Sequence, residues 1–213
     1  MKIILNNVIP TPLKEDNLEL SKVWESSLSL ANENNYFLSS NSGKGKSTFL
    51  NYIYGLRNDY EGTILIDNKD ISKFSLQDWS NLRKEKIAYL PQNLQLINHL
   101  SAWENLLLKN NLTNHYSEGE IKSFLDQFHL SNHIHKPISK LSIGQQQRIA
   151  LIRTLLQPFN TLLLDEPFSH LDEENIIIGL DLINQVCKKE NANYIIATLG
   201  YSYGVESNKT LLL

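Results

Sequence analysis

The segment Ser40-Asn41-Ser42-Gly43-Lys44-Gly45-Lys46-Ser47-Thr48 constrains this chain more than any other. It follows a short apolar run, Tyr36-Phe37-Leu38-Ser39, that reads as a buried strand. It opens residues 47–54, which read as a helix. A strand that turns through small residues into a helix aims successive backbone N–H groups into one concavity, and the helix dipole adds positive potential there. Gly43 and Gly45 let the backbone approach phosphate oxygens without a Cβ in the way. Lys46 brings charge toward β- and γ-phosphates, and Ser47 offers a hydroxyl to Mg²⁺. Asn41, Ser42, Gly43, Lys44, Gly45, Lys46, Ser47 and Thr48 are therefore candidate nucleotide-binding residues. The usual pattern, G-x-x-x-x-G-K-[ST], is met except that Ser40 stands at the first glycine.

The rest of the chain alternates strands and helices. Residues 2–8 and 26–31 read as strands, and Trp24 and Tyr36 are expected in strands. Thr63–Ile66 reads as a strand before a turn. Ser75 to Glu85 reads as a helix capped by Ser75, with Asp78 in the capping-box position. Ile87–Leu90, Thr161–Asp165, Tyr194–Thr198 and Leu211–Leu213 read as further strands, and 173–189 as a helix. This alternation predicts an α/β core with a mainly parallel sheet. Residues 101–157 read as almost wholly helical, so 95–157 is expected to be an inserted α-helical subdomain within a single domain, 1–213.

Leu162-Leu163-Leu164-Asp165-Glu166-Pro167 is an apolar strand ending in two acids. Open parallel sheets deliver strand C-termini to the ligand crevice. Asp165 is assigned to the Mg²⁺ shell and Glu166 to polarising the attacking water as general base.

Bulk properties exclude some classes. A formal net charge of −3 gives no reason to expect nucleic-acid binding. The one cysteine, Cys187, permits no disulfide within the chain and reads as a packed helix residue. No apolar stretch approaches the roughly 20 residues that span a bilayer. A cytoplasmic protein is expected, peripheral to the membrane if a partner chain crosses it. His129 and His133 are four apart, yet no carboxylate or cysteine completes a metal set with them and His135. Trp79 and Trp103 read as packing residues.

Between the two phosphate-site elements, Leu141-Ser142-Ile143-Gly144-Gln145-Gln146-Gln147-Arg148 resembles the LSGGQ-type signature of ATP-binding cassette proteins. Ala88-Tyr89-Leu90-Pro91-Gln92 resembles their Q-loop, and Ser169-His170-Leu171-Asp172 their D-loop. The resemblance covers nearly the whole chain, and its short length and the stretch Asn93–Asn105 are similar to the lipoprotein-release and macrolide-export group. It implies a P-loop core, an antiparallel β-subdomain and a helical subdomain. It implies two cassettes, as homodimer or heterodimer, sandwiching two ATP molecules and driving an integral membrane permease. Ser142, Gly144 and Gln145 would meet the partner's nucleotide, and Asp172 would order the interface. Lys46, Gln92 and Glu166 would be catalytic, with Ser47, Gln92 and Asp165 around Mg²⁺.

Four positions depart from that pattern. Ser40 replaces a glycine, and Ile143 replaces the first glycine of the signature pair. Leu199 in Ala197-Thr198-Leu199-Gly200 stands where the family places a switch histidine. Ile9-Pro10-Thr11-Pro12-Leu13 offers no aromatic ring to stack on adenine. His170 is the candidate stand-in for the histidine. The expectation is that phosphate and Mg²⁺ binding survive while hydrolysis is slow. A cytosolic, regulatory or degenerate cassette without a transport role is the competing expectation.

Overall fold

The computed structural model describes residues 1–14, 21–40, 43–199, 203 and 209–213. The chain runs β1 (Ile3–Pro10), β2 (Ser27–Leu30), β3 (Tyr36–Ser39), α1 (Lys46–Tyr54), β4 (Tyr60–Ile66), β5 (Lys69–Asp70), α2 (Leu76–Glu85), β6 (Ile87–Leu90), α3 (Ala102–Asn110), α4 (Glu118–Gln127), α5 (Ile143–Leu155), β7 (Thr161–Asp165), α6 (Glu173–Glu190), β8 (Asn193–Thr198) and β9 (Lys209–Leu212).

A five-stranded sheet in the order β6-β7-β8-β3-β9 is parallel throughout. All residues of β7 and β8 are buried, as expected of parallel strands covered on both faces. Their alternation divides the interior. Leu162, Leu164, Tyr194 and Ile196 face a core shared with α5 and α6. Leu163, Ile195 and Ala197 face the opposite core, shared with α1 and the second sheet. That second sheet is antiparallel, in the order β2-β1-β4-β5. Its β4–β5 hairpin turns through Asp67 and Asn68, both at positive φ, the two-residue turn whose twist suits paired strands. The expected α/β core with an antiparallel β-unit is present.

Helix starts follow local chemistry. Ser75 with Asp78, Ser101 with Glu104, Ser117 with Glu120 and Ser142 with Gln145 all form reciprocal capping boxes. Each such cap stabilises its helix by about 1 kcal/mol. Residues 101–157 are not one helical run. They form three helices, with irregular chain and short 3₁₀ turns at Ser131–His133 and Ile138–Lys140 between α4 and α5. Pro137 and the positive φ of His129 break the pattern there. His129 lies beyond α4 and His133 in a 3₁₀ turn, so the two do not share a helix face.

Trp24 is also not in a strand. It lies in a turn before β2, followed by Glu25 at φ 54°, and is buried against Phe49 and Tyr52. Cys187 packs in the α6 core, where burial pushes its thiol up to about 12.

Candidate nucleotide site

The β3–α1 connection and the end of β7 meet at the C-terminal edge of the parallel sheet. Gly45 starts α1 in the left-handed region at φ 94°, and Gly43 lies at φ 83°. A Cβ on Gly45 would come within 2.9 Å of Leu13 Cδ1 and 3.2 Å of Trp24 Cζ2. Conformation and space both demand glycine there. Trp24 Nε1 donates to the Lys44 carbonyl at 3.4 Å, so Trp24 buttresses the loop from below. Asn41 and Ser42 lie outside the described residues, as does Gly200.

Lys46 is buried and points into the site. Its Nζ donates to the Ser40 carbonyl at 2.9 Å. Burial lowers its pKa, while Glu166 and Asp165 oppose that shift. Burial raises the pKa of the Asp165 carboxyl, and the nearby Ser47 hydroxyl partly opposes that shift. Asp165 Oδ1 is buried with no hydrogen-bond partner among the described residues. A carboxylate oxygen left bare beside a serine hydroxyl is a donor set that suits a hard divalent cation. Thr48 follows, its Oγ1 receiving Arg57 Nη1 at 3.3 Å.

Glu166 leaves β7 at φ 50°. Its N–H donates to the Ala197 carbonyl at 3.1 Å, and its Oε2 accepts from Gln92 Nε2 at 3.1 Å. Five expected residues, Lys46, Ser47, Gln92, Asp165 and Glu166, thus converge. Beside them a cavity of about 590 Å³ is lined by Glu166, Phe168, Ile176, Ile177, Leu199 and Tyr203. Leu199 is half exposed there, and Ser169 and Glu173 are the polar residues that share the lining with Glu166.

The signature-like residues lie at the start of α5. Ser142 Oγ accepts from Gln145 N at 3.2 Å, and Gln145 Oε1 accepts from Ser142 N at 3.0 Å. Ile143 is half exposed. A Cβ on Gly144 would sit 3.0 Å from the His170 carbonyl, so the signature helix touches the 169–172 turn closely. Asp172 caps α6, accepting from Asn175 N at 2.9 Å, and that bond lowers its pKa. His170 Nδ1 pairs with Ser169 Oγ at 2.9 Å.

Sequence reasoning missed three supports of this site: Leu13 and Trp24 under the loop, and Gln147 beneath the Glu166 turn. The first two carried a signal, since a loop of glycines needs packed neighbours. Gln147 carried none beyond being polar on a helix whose neighbours are apolar.

The family model described as ABC transporter matches residues 23–169. The ABC transporter ATP-binding protein YtrE of Bacillus subtilis is 31% identical over 183 residues, covering 84% of this chain and 79% of its own. The lipoprotein-releasing system ATP-binding protein LolD of Buchnera aphidicola subsp. Schizaphis graminum is 31% identical over 188 residues, covering 87% and 81%. A dimeric bacterial ABC transporter cassette superposes with a TM-score of 0.77 at 26% identity, covering 92% of this chain and 87% of its own.

Proposed function

The chain belongs to the ABC transporter family, and from that membership we propose that it is the subunit that binds and hydrolyses ATP to drive a separate membrane permease. The observation that carries this reading is the convergence of Lys46, Ser47, Asp165, Glu166 and Gln92 in one crevice. Among the described residues no helix is long and apolar enough to cross a membrane. In this reading crossing falls to a partner chain, and residues 95–157 serve as the helical subdomain that faces it.

The residues divide the work. Backbone amides of 41–48 and the Lys46 ammonium hold the triphosphate. Ser47, Asp165 and Gln92 hold magnesium, the bare Asp165 Oδ1 supporting that fit. That ion would offset the negative charge that develops on the phosphate oxygens. Glu166, steadied by Gln92, accepts the proton of the attacking water. Two copies, or this chain and a second cassette, close head to tail over two nucleotides. The α5 N-terminus then offers Ser142, Gly144 and Gln145 to the partner's γ-phosphate, with Asp172 at the interface. The Ser142 hydroxyl accepts in its capping box and keeps its own proton to donate.

Turnover is slow in this reading. Leu199 cannot donate a hydrogen bond to the γ-phosphate, and Ile143 puts a branched side chain where the partner's nucleotide docks. The same substitutions favour a second reading, a cassette that binds nucleotide without a transport role.

Phosphate release by the purified protein tests the assignment. Glu166→Gln should lower turnover by about 10²–10⁴-fold, the range of a lost general base. Mass measurement should then show an ATP-dependent dimer. Fast turnover unaffected by Glu166→Gln would overturn the assignment.

A further inference from the structure

Gln147 lies in the second turn of α5 and is fully buried. Its amide is engaged at both ends with the turn that carries Glu166. Nε2 donates to the Glu166 carbonyl at 3.1 Å and lies 3.3 Å from Ser169 Oγ. Oε1 accepts the N–H of His170 at 3.0 Å. The side chain thus clamps residues 166 and 170 together.

That clamp matters because the turn is strained and its own bond to the Glu166 carbonyl, from the Ser169 N–H, is long at 3.3 Å. Glu166 holds a left-handed φ of 50°, which a side chain adopts at a steric penalty. Pro167 follows and brings no N–H to the turn. The Glu166 N–H is fixed from outside by the Ala197 carbonyl on β8, and its C=O accepts from Gln147 at 3.1 Å as well as from the Ser169 N–H at 3.3 Å. With both backbone groups held, the direction of the Cα–Cβ bond is set. The carboxylate then meets Gln92 Nε2 at 3.1 Å.

We propose that Gln147 is a positioning residue that aims the Glu166 carboxylate through the backbone of its turn. The inference rests on the reading of Glu166 as general base. Gln147 touches neither nucleotide nor water in this account and acts only by way of Glu166.

Two variants test it. Gln147→Met keeps the length and removes every hydrogen bond. Gln147→Glu keeps an acceptor for the His170 N–H but sets a carboxylate oxygen against the Glu166 carbonyl. Each is assayed for phosphate release, for the KM for ATP, and for melting temperature. The expected result is a kcat lowered by about 10–10²-fold, the scale of a small misplacement of a reacting group, with KM changed less than about threefold. Combined with Glu166→Gln, neither should lower the rate further, because both changes remove one function. Wild-type kcat in a folded variant would overturn the proposal. So would a loss that multiplies with that of Glu166→Gln, or an effect carried wholly by KM. If Gln147→Met does not fold, Gln147→Glu decides alone. If Glu166→Gln itself leaves the wild-type rate unchanged, the reading of Glu166 fails instead, and the inference falls with it.

Discussion

The two flanks of the crevice differ in kind. On the loop side, Gly43, Gly45, Lys46, Ser47, Asp165 and Gln92 are the residues proposed to hold a triphosphate and its cation, and the loop is packed from below by Leu13 and Trp24. On the far side, the wall beyond Glu166 is made of Phe168, Ile176, Ile177, Leu199 and Tyr203, with Ser169 and Glu173 as its polar members. One flank is polar, charged and geometrically constrained. The other is largely apolar where a developing negative charge needs donors. In the proposed reading the contrast separates grip from turnover, with binding assigned to the first flank and rate to the second.

The largest expected effect comes from restoring polarity to the second flank. Leu199→His should raise turnover by up to about 10²-fold, the weight of one preorganised donor in such sites. Leu199 is half exposed, so the imidazole enters without a buried void to fill. KM for ATP should hardly move. Unchanged turnover in phosphate-release assays would break the contrast and place the slow step in Ile143 or in the partner cassette.

The loop flank was the legible one. Its chemistry is written in nine consecutive residues, and Asp165 and Glu166 follow an apolar strand whose fate a period of two already decides. Strand order within the sheet follows from the same alternation only in outline. Trp24 was misplaced because an apolar residue before a strand looks like its first member. Only the positive φ of Glu25 reveals the turn. The block 101–157 looked continuous because three capping boxes begin helices of similar pattern, and the 3₁₀ turns between α4 and α5 have no periodicity of their own. Gln147 was invisible for a deeper reason. Its two nearest partners are a carbonyl and an amide 19 and 23 residues away, and backbone groups leave no mark on a sequence.

A smaller effect probes the strain within the loop flank. Asp165 is buried and its Oδ1 lacks a partner, so the ionised carboxylate is held at a penalty in the absence of cation. Asp165→Asn should raise the melting temperature of the nucleotide-free protein by about 2–4 °C, equivalent to about 1 kcal/mol in a chain of this size. The same change should abolish the extra stability that Mg-ATP confers. The sign with pH follows from the raised pKa. The wild-type group favours the fold when protonated, below its unfolded pKa, and that contribution is lost as pH rises through the folded value. The gap between variant and wild type should therefore widen from acid to neutral pH and then level. A gap that shrinks on raising pH, in calorimetric scans, would show that Asp165 is satisfied without a cation.

The smallest effect isolates the buttress. Trp24→Phe removes the long hydrogen bond to the Lys44 carbonyl while keeping most of the packing on Phe49 and Tyr52. A neutral hydrogen bond contributes about 0.5–1.5 kcal/mol, and 1.4 kcal/mol is tenfold in affinity. ATP should bind about two- to tenfold more weakly, while kcat at saturating ATP stays as in the wild type. The indole also reports directly, since its ring lies against Lys44 and Gly45 of the loop, and its fluorescence should shift when ATP is added. Trp24→Phe should remove that signal, leaving the more distant Trp79 and Trp103 silent. A fall in kcat with unchanged affinity would reverse the division of labour between the flanks. It would make the loop side govern rate, and the apolar wall around Leu199 would then need another explanation.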